Sequence, residues 1–221
     1  MGPSPGDHGT GPPTDDPQQS QALVVVHFPH LHTLGHWDIV VDGPGAASSV
    51  VGPRSMPPMP RFEVLQVAFW DGSSNYGVQP PLTDQLVDQA ELTLEVTIPA
   101  SLVALLHQQN GGRVAAGLRA FPTSVPTSWA SDHVPFEYMM GIGHRTGAPS
   151  LLDSVYLIGE WDLPDSLILL SGDGPCWIGL DYRTGPTPTV GWFDADSGLE
   201  LPLAASFQDF VEGLTDPETY G

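Results

Sequence analysis

WDLPDSLILLSGDGPCWIGLDYRTGPTPTVGWFDADSGLELPLAASFQDFVEGL, residues 161–214, alternates short apolar runs with turn signals and then changes period. The runs at 166–170, 176–181, 189–193 and 199–204 are rich in Leu, Ile, Val and aromatic residues, as strands are. Between them stand Gly172-Asp173-Gly174-Pro175, Thr184-Gly185-Pro186 and Asp194-Ala195-Asp196-Ser197-Gly198. Each is turn chemistry: Gly tolerates φ > 0, Pro presets φ, and Asp bonds its own backbone. After Ala205 the apolar spacing becomes helical, with Phe207, Phe210, Val211 and Leu214 at i, i+3, i+4 and i+7. Ser206 is placed to cap that helix, and Asp209 in its first turn complements the dipole. The stretch predicts an antiparallel meander covered by an amphipathic helix.

Upstream, Thr83 caps a predicted helix whose face is Leu86, Val87, Ala90 and Leu94. Pro99 opens a second helix with Leu102, Leu105 and Leu106 as its stripe, stopped by a left-handed cap at Asn110-Gly111-Gly112. Residues 115–121 and 135–142 read as strand or loop, and 151–158 as strand or helix. Residues 1–22 hold almost nothing apolar and read as a disordered tail. Residues 23–75 read as an N-terminal β-rich extension, with strands at 23–26, 39–41 and 63–70 and a Pro/Gly/Ser linker at 43–60. The main domain is expected at 76–215 and a C-terminal tail at 216–221. The fold class is α+β, a mixed or antiparallel sheet with helices packed on one side.

Charge narrows the function. Asp and Glu number 26 against 6 Lys plus Arg, giving −20, and all six cations are Arg. Without lysine, a Walker-type phosphate loop and Schiff-base chemistry are excluded. Scattered arginines in so negative a field offer no phosphate-binding patch, so nucleic acid is not an expected partner. An acidic surface steers cationic partners instead. Cys176 is the only cysteine, sits in an apolar strand pattern and reads as an inert thiol. No signal-peptide core or membrane-spanning run is present, so a soluble cytoplasmic chain is expected, with no membrane partner.

His27, His30, His32 and His36, with Asp38 close by, are the candidate metal ligands. Their spacing matches no helical motif, and Pro29 and Gly35 interrupt it, so solvated histidines are favoured and no metal or cofactor is implied. Asp194 and Asp196 with Glu200 form a carboxylate group, but a turn between strands is expected to leave them solvated, which does not split their pKa values for acid–base work. Ser171-Gly172-Asp173-Gly174 and Gly141-Ile142-Gly143-His144 lack both a lysine and a following helix and read as turns. No G-x-S-x-G elbow exists, and no catalytic residue is assigned. Between 160 and 221 there are twelve acids against Arg183 alone. Asp162, Asp173, Asp181, Asp194, Asp196 and Glu200, with Trp192 as an aromatic anchor, are therefore the expected partner-binding residues, shown by turns at one end of the sheet.

Five segments in order resemble the Smi/Knr family of the SUKH superfamily: PPLTDQLVDQAELTLEVTIPASLVALLHQQNGG from Pro80, VPFEYMMGIG from Val134, LPDSLILLSGDGPCWIGLDYR from Leu163, PTVGWFD from Pro188 and LPLAASFQDFVEGL from Leu201. The likeness covers roughly 76–214. One departure concerns the turn between the first two helices. The family usually has Leu-Gly before its V-x-(L/I)-P step, where this chain has Thr93-Leu94-Glu95-Val96. The resemblance implies a non-enzymatic protein-binding module. In bacteria many relatives resemble immunity proteins that neutralise cognate toxin domains, often nucleases, and in fungi relatives are cell-wall synthesis regulators. With the charge, it implies an immunity-type protein that binds a basic toxin domain. The alternatives are a general regulatory module and, from another class, a metal-dependent enzyme at the histidine cluster.

The metal alternative has a direct test. Elemental analysis after dialysis against a weak chelator is expected to find far less than one zinc per chain. Stoichiometric zinc, lost when His30 and His32 are both replaced by Ala, would install the metal site instead.

Overall fold

The first described element is a helix where the sequence pattern predicts a strand. The computed structural model describes residues 61–220, which belong to the unit Pro57–Gly221. The tail at 1–22, the expected strands at 23–26 and 39–41, the linker and the histidine cluster lie outside the described residues. Helix α1 spans Arg61–Ala68. Phe62, Leu65 and Phe69 stand at i, i+3 and i+7, and that spacing governs burial: Phe62 and Phe69 are buried, Leu65 is half-buried, and Val64 and Val67 face outward. The apparent alternation across 62–69 fitted a strand as well, and the helical period won. Phe69 packs edge-on against Phe136 at 6.5 Å, and the backbone at Trp70 bridges to Val114.

Helix α2, Asp84–Leu94, begins at the predicted cap, where Thr83 Oγ1 accepts from the Leu86 amide at 3.2 Å. It buries Val87, Ala90 and Leu94. Its C-cap is Glu95, at φ 57° and ψ 31°, in the left-handed region. This is the position after Leu94 where the family pattern carries glycine, so the turn keeps its shape with a side chain in place of a hydrogen. Pro99 then leads into α3, Ala100–Gln108, which buries Leu102, Leu105 and Leu106 as predicted. The stop differs from expectation. Gln109 leaves the helix in an extended conformation, and the positive φ values come later, at Gly111 and Gly112. Glycine is required at Gly111, since a Cβ there would lie 2.5 Å from the Gly141 nitrogen.

Four short strands follow: β1 (Gly112–Arg113), β2 (Ala120–Pro122), β3 (His133–Pro135) and β4 (Tyr138–Met139). β1 pairs with β4 and β2 with β3, both antiparallel. The ambiguous stretch at 151–158 is helical: a 3-10 turn at Leu151–Asp153 runs into α4, Ser154–Trp161. Ser150 and Asp153 form a capping box, the local signal that decides against a strand. Ser154 Oγ donates to Leu151 O at 2.6 Å and accepts from the Leu169 amide at 3.0 Å, fastening α4 to the sheet.

That sheet is the predicted meander: β5 (Leu167–Asp173), β6 (Cys176–Asp181), β7 (Thr189–Asp194) and β8 (Leu199–Ala204), antiparallel in that spatial order. β5 continues past the expected end at 170 through a bulge between Leu169 and Ser171. Register sets the faces. Ile178, Trp192 and Leu201 are cross-strand partners on one face, while Trp177, Phe193 and Glu200 line up on the other. β8 is an outer strand, with Pro202 inside it. Helix α5, Phe207–Gly213, starts at the predicted Ser206 cap and buries Phe207, Phe210 and Val211. Its Phe210 stacks on Phe121 at 4.9 Å and meets Phe136 edge-on, so the terminal helix closes the core begun by α1.

An L side chain at a left-handed position costs about 1–2 kcal/mol, partly offset by the greater unfolded-state freedom of glycine. Glu95→Gly is therefore expected to stabilise the chain by about 1 kcal/mol, raising Tm by about 2–4 °C. A lower Tm would mean that the Glu95 side chain itself holds the turn.

Candidate functional site

The predicted partner-binding acids do not share one end of the sheet. Because neighbouring strands run in opposite directions, the β5–β6 and β7–β8 turns lie at one end, carrying Asp173, Asp194 and Asp196. Asp181 closes β6 at the other end, and Asp162 caps α4 on the approach to β5 there. Glu200 faces outward beside Phe193. Arg183 claims two of the set. Its Nε and Nη2 donate to Asp181 at 2.9 and 2.7 Å, and Nη2 also donates to Glu200 at 2.7 Å. The guanidinium sits 5.6 Å from the centre of the Phe193 ring, a cation–π contact that fixes it further.

Two other members sit inside the protein. Asp194 is 3% exposed, against the expectation of a solvated turn. Its Oδ1 accepts from the Asp196 and Ser197 amides at 3.1 and 3.2 Å, so the Asx turn is real but covered. Burial pushes this carboxyl up, yet the hydrogen bonds from the Ser197 and Asp196 amides outweigh it and hold it below the usual carboxylate range. Among the described residues Oδ2 has no hydrogen-bond partner. Trp192 is 2% exposed and is core. Cys176, cross-strand partner of Asp194, is half-buried with its Sγ 3.5 Å from Ser128 Oγ, and burial raises its pKa, as suits an inert thiol. Of the expected set, Asp162, Asp173 and Asp196 remain exposed and Asp181 and Glu200 are ion-paired. Among the described residues no group of His, Cys, Asp and Glu is arranged to hold a metal.

A different set of acids does converge. Between the end of α2, α4, the start of β5 and the loop after β6 runs a groove of about 1060 Å³. Its buried lining is apolar: Leu94, Ile158, Leu167 and Ile168. Its acids are Asp88, Glu91, Glu95 and Asp165, and no described lining residue is an arginine. Leu92 and Val155, also on the lining, are 80% and 71% exposed. Asp88 and Glu91 fall at i and i+3 on α2, and Glu95 is the left-handed cap that follows it.

Local structure holds the groove open. Tyr182 donates its hydroxyl to Thr97 O at 2.8 Å, tying the strand end after β6 to the turn after α2. Burial, with Glu91 nearby, pushes the Tyr182 hydroxyl far above its ordinary pKa, so it stays a donor. Glu91 Oε1 accepts from the Ile98 amide at 2.8 Å and braces the same turn. Among the described residues the non-glycine positions at positive φ are Glu95, Asp162 and Ser166, and two of them line the groove. Strain of this kind clusters where a surface is shaped for use.

The groove residues, 88 to 186, fall inside a family match. The description SMI1 / KNR4 family (SUKH-1) matches residues 81–213, from the start of α2 to the end of α5. The chain belongs to the SMI1 / KNR4 family. A search of curated proteins finds no match. Helix α1 lies outside the matched span, although it packs into the same core. The SUKH-1 assignment agrees with the α+β architecture and with the order of the segments quoted above.

The Arg183 pair carries a pH signature. The Arg183 hydrogen bonds hold the Asp181 carboxyl below its usual range, against partial burial. A folded pKa below the unfolded one gives stability that is complete above the unfolded value of about 3.9 and disappears as pH falls through the folded value. Arg183→Gln is therefore expected to lower the urea midpoint at neutral pH, with the gap from the parent closing as pH falls below the ordinary carboxylate value of about 3.9. A pH-independent gap would point to lost packing on Phe193.

Proposed function

We propose that this protein is an immunity-type binder that neutralises a basic toxin domain by covering a cationic surface. The observation that carries the reading is the groove of about 1060 Å³, with an apolar floor and four carboxylates. Family membership supports a protein-binding role, because the resemblance points to non-catalytic interaction modules. The charge of −20 supports a basic partner by the same logic that disfavours nucleic acid and anionic membrane surfaces. No helix among the described residues is long and apolar enough to cross a membrane. A general interaction module, without a toxin, is the second reading; the exposed Leu92 and Val155 favour it equally, since an apolar contact suits either kind of partner.

Binding of this kind divides its labour. Exposed rim carboxylates mostly raise the association rate and confer salt dependence, while desolvated contacts govern dissociation. The test is genetic and then kinetic. The reading frame beside this one is expressed alone and together with this chain. Toxicity that coexpression relieves, with an association rate that falls steeply as salt rises, is the expected result. A toxic neighbour that coexpression leaves toxic overturns the immunity reading, and a harmless neighbour that binds the chain turns it to the general module.

A further inference from the structure

We infer that the groove between α2 and α4 receives a cationic segment of the partner chain, in which an apolar side chain seats on the floor and flanking arginines or lysines meet Asp88, Glu95 and Asp165. The inference rests on the protein-binding reading above and gives it a place and a chemistry. Three considerations select this occupant. The polar groups stand with the exposed Leu92 and Val155 around an apolar floor of Leu94, Ile158, Leu167 and Ile168, so the groove offers an apolar seat with charge beside it. A small polar ligand wants convergent polar groups in the floor instead. A groove of about 1060 Å³ has room for several side chains of a bound segment. A second copy placed symmetrically would bring carboxylates against carboxylates, which opposes pairing.

The acids differ in their commitments. Glu91 already accepts from the Ile98 amide. Asp88, Glu95 and Asp165 form no hydrogen bond or ion pair with another described residue that would occupy them before a partner arrives. Glu95 is the most telling. It stands at φ 57°, where glycine would be relaxed, and it places a carboxylate on the groove wall at the point where α2 stops. Glu95 is thus the specificity-determining residue: it trades stability of the turn for charge at the site.

The probe is a fluorescein-labelled peptide, acetyl-LRRLLRR-amide, titrated at low salt against the full chain. A companion, acetyl-SRRSSRR-amide, keeps the charge and removes the apolar anchor. The parent is expected to bind the first peptide several-fold more tightly than the second. Asp88→Asn, Glu95→Gln and Asp165→Asn together are expected to weaken the first peptide about tenfold. A control of equal charge removal away from the groove, Asp173→Asn, Asp196→Asn and Glu218→Gln, is expected to weaken it less than about threefold. Equal losses in both triple variants would overturn the inference, because the field of the whole protein would then explain binding. Equal affinity for the two peptides would overturn the apolar seat. Glu95→Gly separates charge from folding: its affinity is expected to fall while its Tm rises, and a fall in both would assign Glu95 a structural role and overturn its role in specificity. The coexpression assay separates the two proposals. If the groove triple variant still relieves toxicity fully, the groove assignment fails and the immunity reading stands. If the parent relieves none but the peptides behave as expected, the groove stands alone.

Discussion

The buried side chain of Asn110 sits where three segments of the chain meet. It is 2% exposed. Its Nδ2 donates to Pro80 O and Ile142 O, each at 2.7 Å, and its Oδ1 accepts from the Ile142 amide at 2.8 Å. One amide group therefore satisfies two carbonyls and one N–H that the irregular backbone at 80 and 142 would otherwise bury unpaired, each at about 1–3 kcal/mol. Aspartate could not donate, and an apolar residue could do neither. The main chain comes equally close: a Cβ on Gly141 would lie 2.4 Å from Asn110 O. The end of α3, the entry to α2 and the segment leading to α4 are thus stitched at one point.

Around that point the core divides its work by residue type. Phenylalanines from distant parts of the chain, Phe69, Phe121, Phe136, Phe207 and Phe210, interlock edge-on and stacked between α1, the short strands and α5. The sheet uses glycine to admit aromatic rings: Phe193 lies across Gly191, where a Cβ would come within 2.9 Å of its ring. Such arrangements are local solutions to close packing, and the same core continues to Leu94, Ile158, Leu167 and Ile168 under the groove.

The meander and the helices α2, α3 and α5 were legible because their signals are local and agree. The Thr83 and Ser206 caps, the turn glycines and the strand runs from 166 to 204 all say the same thing as the family resemblance. Helix α1 was misread as a strand because Val64 and Val67 are apolar yet exposed, and their presence supplies a false alternation. The site was harder. Counting charge along the chain favoured the turns after 160, but Arg183 neutralises part of that surplus and burial removes Asp194 and Trp192. The groove draws on residues from 88 to 186, and no linear count brings Asp88 to Asp165. Asp88 and Glu91 share a face of α2, and their meaning depends on what α4 and β5 place opposite.

The outer strand β8 carries a consequence for colloidal behaviour. Pro202, in the middle of it, has no N–H to offer an incoming strand, and Glu200 is already tied to Arg183. At the opposite border, the Leu170 carbonyl accepts from the Met140 amide and the Leu169 amide is bonded to Ser154, so β5 is occupied as well. Among the described residues the meander is four strands wide, and neither border offers a continuous template for edge-to-edge stacking into fibrils.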